Sequence, residues 1–160
     1  MKRSMMFLSL MLVFFMSLGE LAEAADNLKK AKWELGGGLG RWAERYDGRS
    51  KSYLASMAFG GYYLFPFLQL EAAAFFWEDN SVLTGNIGLN VPIGQTFSPY
   101  IVAGIGPRLG GELIGNLGAG LKVRATNLLG VRFELRRWGY LSGDNEDTID
   151  SFLGTICFYF

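Results

Sequence analysis

Histidine is absent from this 160-residue chain, cysteine occurs once, and proline only four times. Without histidine, the commonest general base and most catalytic zinc sites are lost together. A single cysteine excludes a disulfide scaffold and leaves Cys157 without an intrachain partner. An excess of one charge is lacking too. The 15 basic and 15 acidic side chains cancel, so no strong field draws nucleic acid or an acidic substrate. What is abundant is apolar: 50% of residues are hydrophobic, 15% are aromatic, and 22 are glycine. That composition excludes a disordered chain, and the length suits one domain.

Residues 1–24 read as a cleaved signal peptide. Lys2 and Arg3 form a positive start, residues 5–18 are apolar apart from Ser9 and Ser17, and Ala22-Glu23-Ala24 supplies a small-x-small cleavage pattern. An uncleaved membrane anchor is the competing reading, but the run falls short of the roughly 20 residues of a spanning helix. No cysteine follows the cleavage site, which argues against a lipoprotein. Residues 25–160 then form the exported domain.

Two stretches of that domain, 52–70 and 80–107, carry no formal charge, and a hydropathy window flags both as helix candidates. Their internal pattern has period two. Tyr53, Met57 and Phe59 fall at odd positions, with Ser56, Ala58 and Gly60 at even ones. Thr84, Asn86, Gly88 and Asn90 alternate with Gly85, Ile87, Leu89 and Val91. Alternation of that kind is a strand signature, and Pro66, Pro92 and Pro99 fall where turns are expected. The spacing predicts strands at about 32–41, 52–63, 67–77, 82–91, 99–106, 113–124, 129–140 and 151–160. The connections alternate between quiet ones and two longer charged ones, 42–51 and 141–150, as expected of hairpins at alternate ends of one barrel.

Each predicted strand has one apolar face. Leu68, Leu70, Ala72, Ala74 and Phe76 oppose Gln69, Glu71, Ala73, Phe75 and Trp77; Val131, Phe133 and Leu135 oppose Arg132, Glu134 and Arg136. A soluble lipocalin-like barrel turns its apolar face inward, whereas a transmembrane barrel turns it to lipid. The polar face here is rich in Gly and Ala, with isolated charges of both signs. That suits a narrow interior better than a water-facing surface. The expected fold is therefore all-β: an eight-stranded, antiparallel, up-and-down transmembrane β-barrel after the signal peptide.

Pro99-Tyr100-Ile101-Val102-Ala103-Gly104-Ile105-Gly106 resembles a strand of small outer-membrane barrels. Residues 116–124 and 127–136, from Asn116-Leu117-Gly118 to Glu134-Leu135-Arg136, resemble the strand–turn–strand that follows it there. The chain closes on Phe152, Ile156, Phe158 and Phe160 at alternating positions, similar to the C-terminal signal read by the barrel-assembly machinery; Phe158 stands where many relatives have Tyr. In this order the motifs resemble the OmpA/OmpX-like eight-stranded class. The resemblance implies the bacterial outer membrane, contacts with lipid, lipopolysaccharide, periplasmic chaperones and the assembly machinery, and a monomer. It leaves no segment for the peptidoglycan-binding domain of full-length OmpA-type proteins. Some barrels of this size modify lipid A with a His-assisted Ser; a chain without His lacks that base, so no enzyme is expected.

Other motifs have plainer readings. Gly36-Gly37-Gly38-Leu39-Gly40 and Gly104-Ile105-Gly106 lack the Lys-Ser/Thr of a phosphate loop and suit a crowded lumen. Asp144-Asn145-Glu146-Asp147 lacks the spacing of a calcium loop and reads as a solvated loop. No cofactor or metal is expected. Glu34, Glu71 and Glu134 are placed to face Lys122, Arg124, Arg132 and Arg136 inside the barrel, because an unpaired charge there is costly. Those pairs form either a closed structural plug or a narrow gated pore. Tyr53, Tyr63, Phe65, Phe67, Phe97, Trp33, Trp42 and Trp138 fall near strand ends and predict two aromatic girdles. Trp42, Trp77 and Trp138 are inward by strict alternation, which places them either at the rim or beside a register-changing bulge. Arg137 points outward near the loop end, as a lipopolysaccharide contact or a snorkelling rim residue. A structural or interaction role is expected, with surface binding or adhesion through the two charged loops as the alternative.

Overall fold

A strand sends successive side chains to opposite faces, so a chain written in period two becomes a sheet with two chemically distinct faces. The computed structural model describes residues 32–46, 49–93, 96–141 and 148–160. The expected signal peptide and the acidic run 144–147 lie outside the described residues, as do 47–48 and 142–147 of the two charged loops. The elements are β1 (Trp33–Tyr46), β2 (Arg49–Phe65), β3 (Leu68–Trp77), β4 (Asn80–Asn90), β5 (Phe97–Pro107), β6 (Leu113–Arg124), β7 (Leu129–Tyr140) and β8 (Thr148–Tyr159). Each pairs antiparallel with the next, and β8 pairs with β1 to close a barrel. Closure leaves no sheet edge open. At the seam the Trp33 and Phe160 backbones exchange hydrogen bonds of 3.1 and 2.9 Å.

Burial follows the parity of the sequence. Gln69, Glu71, Ala73, Phe75 and Trp77 of β3 are buried while Leu70 and Phe76 are exposed; along β7, Arg132, Glu134, Arg136 and Trp138 are buried while Phe133 and Leu135 are exposed. The polar set therefore lines the lumen, and the apolar set covers the outside. That inversion is stable only where lipid surrounds the barrel.

Three expectations need correction. The charged connection expected at 42–51 is mostly strand: β1 and β2 continue in register out to Tyr46 and Arg49, because Glu44 and Arg45 still alternate across the hairpin. Likewise 148–150 belongs to β8, with Asp150 paired to Arg137. The girdle is also thinner than expected. Trp33, Phe65, Phe67 and Phe97 are exposed at the end carrying both described termini, but Tyr53, Tyr63, Trp42 and Trp138 turn inward. Phe65 reaches the outside through a register shift between Tyr63 and Phe65 on β2, which re-aims it to stack on Phe67 at 5.4 Å.

The two faces of β8 give a direct test. Ile156 is exposed and Thr155 buried, with the Thr155 hydroxyl 3.4 Å from the Arg132 carbonyl. Ile156→Arg is expected to destabilise the folded barrel by about 2–4 kcal/mol if it lies at the bilayer midplane. Thr155→Val should change stability by about 1 kcal/mol or less. Urea titration in lipid vesicles measures both, and equal effects would mean the inside–outside assignment is wrong.

Candidate functional site in the barrel lumen

The lumen is built in layers from the terminus end upward. In the first layer Lys122 of β6 donates from Nζ to Glu34 Oε2 at 2.8 Å, to Gln69 Oε1 at 2.7 Å and to the Tyr63 hydroxyl at 2.9 Å. Tyr63 and Gln69 in turn donate to the same Glu34 oxygen at 2.6 and 2.8 Å. The other Glu34 oxygen and the Asn90 amide are buried without a protein partner.

The second layer is a ring of two arginines and two carboxylates. Arg132 Nη1 lies 2.5 Å and Arg136 Nη2 2.7 Å from the two oxygens of Glu71. Both arginines also pair with Glu134, Arg132 through Nε at 3.0 Å and Arg136 through Nη2 at 3.1 Å. Tyr100 donates to Glu134 at 2.5 Å and accepts from Arg132 Nε at 2.6 Å. Asn86 donates to Glu71 at 3.1 Å, Asn116 donates to Asn86 at 3.0 Å, and Arg136 donates to Asn116 at 3.2 Å. The Lys122 ammonium and the Arg132 guanidinium each face the Tyr100 ring, at 5.0 and 4.8 Å from its centroid, which links the two layers.

Above the ring the lumen becomes aromatic. Trp42 stacks on Trp77 at 4.0 Å between centroids, and Trp138 meets Trp42 at 5.1 Å and Phe75 edge-on at 4.7 Å. These tryptophans lie within the lumen at strict alternation, with no bulge: Trp42 pairs with Tyr53 and Ser151 in register. Their indole N–H groups find Glu44 at 3.3 Å from Trp42 and 3.2 Å from Trp77, and Ser151 at 3.1 Å from Trp138. Arg108, in the connection after β5, caps this layer. Its guanidinium lies 5.5 Å from the Trp77 ring centroid, 3.6 Å from Glu44, and within hydrogen-bonding contact of the Tyr140 hydroxyl.

The structure therefore brings together Glu34, Glu71, Lys122, Arg132, Glu134 and Arg136, and sets Arg124 apart from them at the mouth of the lumen. Arg124 is half-buried at the terminus-end mouth, with its guanidinium 4.3 Å from the Tyr159 ring centroid. Parity places it on the inward face, and its height, at the last residue of β6, puts it at the mouth over the buried Tyr159 ring. Without it, the buried network balances three carboxylates against three cations. Arg137 is exposed and pairs with Asp150 at 2.8 Å. Phe152, Ile156, Phe158 and Phe160 form an exposed row. The sequence reading missed the lumen hydrogen bonding of Tyr63, Gln69, Asn86, Tyr100 and Asn116; their only signal was inward parity. Cys157 is buried in the lumen beside Thr155. Among the described residues no group of His, Cys, Asp and Glu is placed to hold a metal ion.

With that geometry in hand, comparison with known proteins finds the same architecture. No protein-family model matches the chain, and no curated protein matches it. Among solved structures, Neisserial surface protein A superposes with a TM-score of 0.70 at 9% identity, covering 81% of this chain and 98% of that one. The N-terminal β-barrel domain of Pseudomonas aeruginosa OprF gives 0.61 at 18% identity, covering 81% and 98%. Ail, the attachment invasion locus protein of Yersinia pestis, gives 0.59 at 13% identity, covering 82% and 99%. The chain has the fold of the small eight-stranded outer-membrane barrels. Its apolar exterior and ion-paired interior suit a barrel surrounded by lipid.

The ring predicts how the barrel responds to losing one charge. Glu71→Ala leaves two buried arginines sharing Glu134, and is expected to destabilise the barrel by about 3–5 kcal/mol. Replacing the ion pair together, Glu71→Met with Arg132→Met, should recover much of that loss by removing one charge of each sign. Denaturant midpoints in lipid measure both; a double variant no more stable than Glu71→Ala would refute mutual neutralisation as the role of the ring.

Proposed function

We propose that this chain is a closed, structural outer-membrane barrel, neither a channel nor an enzyme. The observation that carries this reading is the aromatic layer: Trp42, Trp77, Trp138 and Phe75 stack across the lumen above a balanced ion network. A water-filled pore needs a continuous polar path, and stacked indoles offer none. Acyl transfer needs an activated nucleophile and a base to take its proton; the chain has no histidine, and Cys157 is buried among lumen side chains.

The exposed row Phe152, Ile156, Phe158 and Phe160 supports recognition by periplasmic chaperones and the barrel-assembly machinery. A row whose side chains face outward on the closing strand is available to a partner before lipid covers it. Lipid and lipopolysaccharide are the partners of the finished barrel, which acts as a monomer.

Planar-bilayer recording is the test of closure. The intact barrel is expected to give no sustained openings. Conductance that persists, and that changes with Glu71→Ala or Arg132→Ala, would replace this reading with that of a narrow pore. Phe160→Ala separates assembly from stability: assembly in cells should slow while refolding into lipid vesicles proceeds at the wild-type rate. Equal slowing in both would sink the recognition role.

A further inference from the structure

The outward wall of the barrel changes chemistry around its loop end. Arg41 and Arg45 project outward from β1 on either side of Ala43, and Arg137 projects outward from β7. The strand register sets Arg137 beside Asp150 and Asp150 beside Ala43, so two guanidiniums, Arg137 and Arg45, reach one carboxylate, with Arg41 on the same wall one step nearer the terminus end. Arg137 donates to the two Asp150 oxygens at 2.8 and 3.3 Å, and Arg45 lies 3.9 Å from that carboxylate. Arg41 donates to Ser52 Oγ from Nε at 3.1 Å and from Nη2 at 2.7 Å. Among the described residues Asp150 is the carboxylate paired with Arg45 and Arg137, whose side chains remain 64% and 67% exposed. Arg137 and Asp150 form an exposed pair, which holds weakly and exchanges readily for a stronger anion.

Apolar residues lie beside and below these arginines. Phe152 neighbours Arg41 and Leu135 in register, Leu54 flanks Arg41 on β2, and all three are exposed. The wall thus passes from acyl-compatible to cationic across a row or two of residues, which marks the boundary between lipid chains and headgroups. On the opposite wall Phe76, Leu83, Ile105 and Leu113 are exposed at the loop end, and the β3–β4 turn carries Glu78 and Asp79. The longest connection, 141–147, lies at the arginine end, the end that faces outward in such barrels.

We propose that Arg41, Arg45 and Arg137 form a binding site for the phosphates of lipid A, with its acyl chains lying along Leu135, Phe152 and Leu54. Guanidinium forks match phosphate oxygens in paired hydrogen bonds, and Ser52 adds a hydroxyl between β1 and β2. The arginines project sideways from the wall, so their ligand lies in the membrane plane; this favours an anchored phosphate over a soluble glycan. The inference rests on the outer-membrane fold and is independent of whether the lumen conducts.

The purified, refolded barrel in detergent can be titrated with bis-phosphorylated lipid A, with lipid A stripped of both phosphates, and with inorganic phosphate, using native mass spectrometry. The R41Q/R45Q/R137Q variant is expected to bind bis-phosphorylated lipid A about tenfold more weakly than the native barrel. Asp150→Asn, which removes the competing carboxylate, is expected to bind it more tightly. Heat-modifiable gel migration confirms that each variant is folded, and the single variant Arg45→Gln, expected to weaken binding less, serves if the triple one is not. Undiminished binding by the arginine variants, or equal binding of the dephosphorylated lipid by the native barrel, overturns the site. Inorganic phosphate binding as tightly as lipid A overturns the lipid assignment and leaves a general anion site.

Discussion

A charge inside this lumen cannot reach bulk water, so it must be neutralised by another charge inside the lumen. The rest of the interior follows from that constraint. Glu71 on β3 meets Arg132 and Arg136 on β7, strands on opposite sides of an eight-stranded circle, and Glu34 on β1 meets Lys122 on β6. These contacts are struts across the barrel, whereas backbone hydrogen bonds join only neighbouring strands. Buried ion pairs often add little net stability over a well-packed apolar core. What these struts contribute is a penalty against wrong arrangements: a one-residue slip of β7 would drive two arginines and Glu134 toward lipid.

Side chains as long as arginine and tyrosine need space on the wall they cross toward. An added Cβ at Gly118 would stand 2.7 Å from Arg136 Cγ, and one at Gly120 would stand 2.5 Å from the Tyr100 hydroxyl. The glycines of β6 are thus the counterparts of the bulky residues of β5 and β7. Nearer the loop end the problem is solved differently. Three indoles and a phenyl ring supply volume directly, and their few polar hydrogens are met by Glu44 and Ser151. The lumen therefore has a polar half and an aromatic half, both filled.

Period-two alternation made the fold legible in the sequence, because strand geometry converts parity into side without further information. Which residues face inward was readable for Glu34, Glu71, Lys122, Arg132, Glu134 and Arg136 alike. Height along the barrel was not. Parity puts Arg124 in the lumen, but only the register shows that it sits at the mouth, beside Tyr159. Strand ends were equally hidden: charge in 42–51 looked like a loop, yet Glu44 and Arg45 alternate across a hairpin that outreaches the membrane wall. The tryptophans were read as interface residues from their type, although their parity already pointed inward. The shift at Tyr63 and Phe65 left no trace in composition, since both are aromatic, and only its geometry sends one inward to Glu34 and the other outward to Phe67.

The exterior obeys the opposite logic from the lumen, and it too has two halves. Phenylalanines and Trp33 are exposed at the terminus end, where aromatic rings suit the boundary between chains and headgroups. Arginines occupy the β7–β8–β1 wall at the loop end, where a cation on an apolar wall is tolerable only if an anion or water is within reach. Among the described residues Asp150 meets part of that need. The buried network of three carboxylates and three cations is thus balanced without the membrane, while the outer wall presents its described arginines at one height and on one side. Inside, charge is met by charge across the lumen; outside, the arginines stand where the wall passes from apolar residues to polar ones.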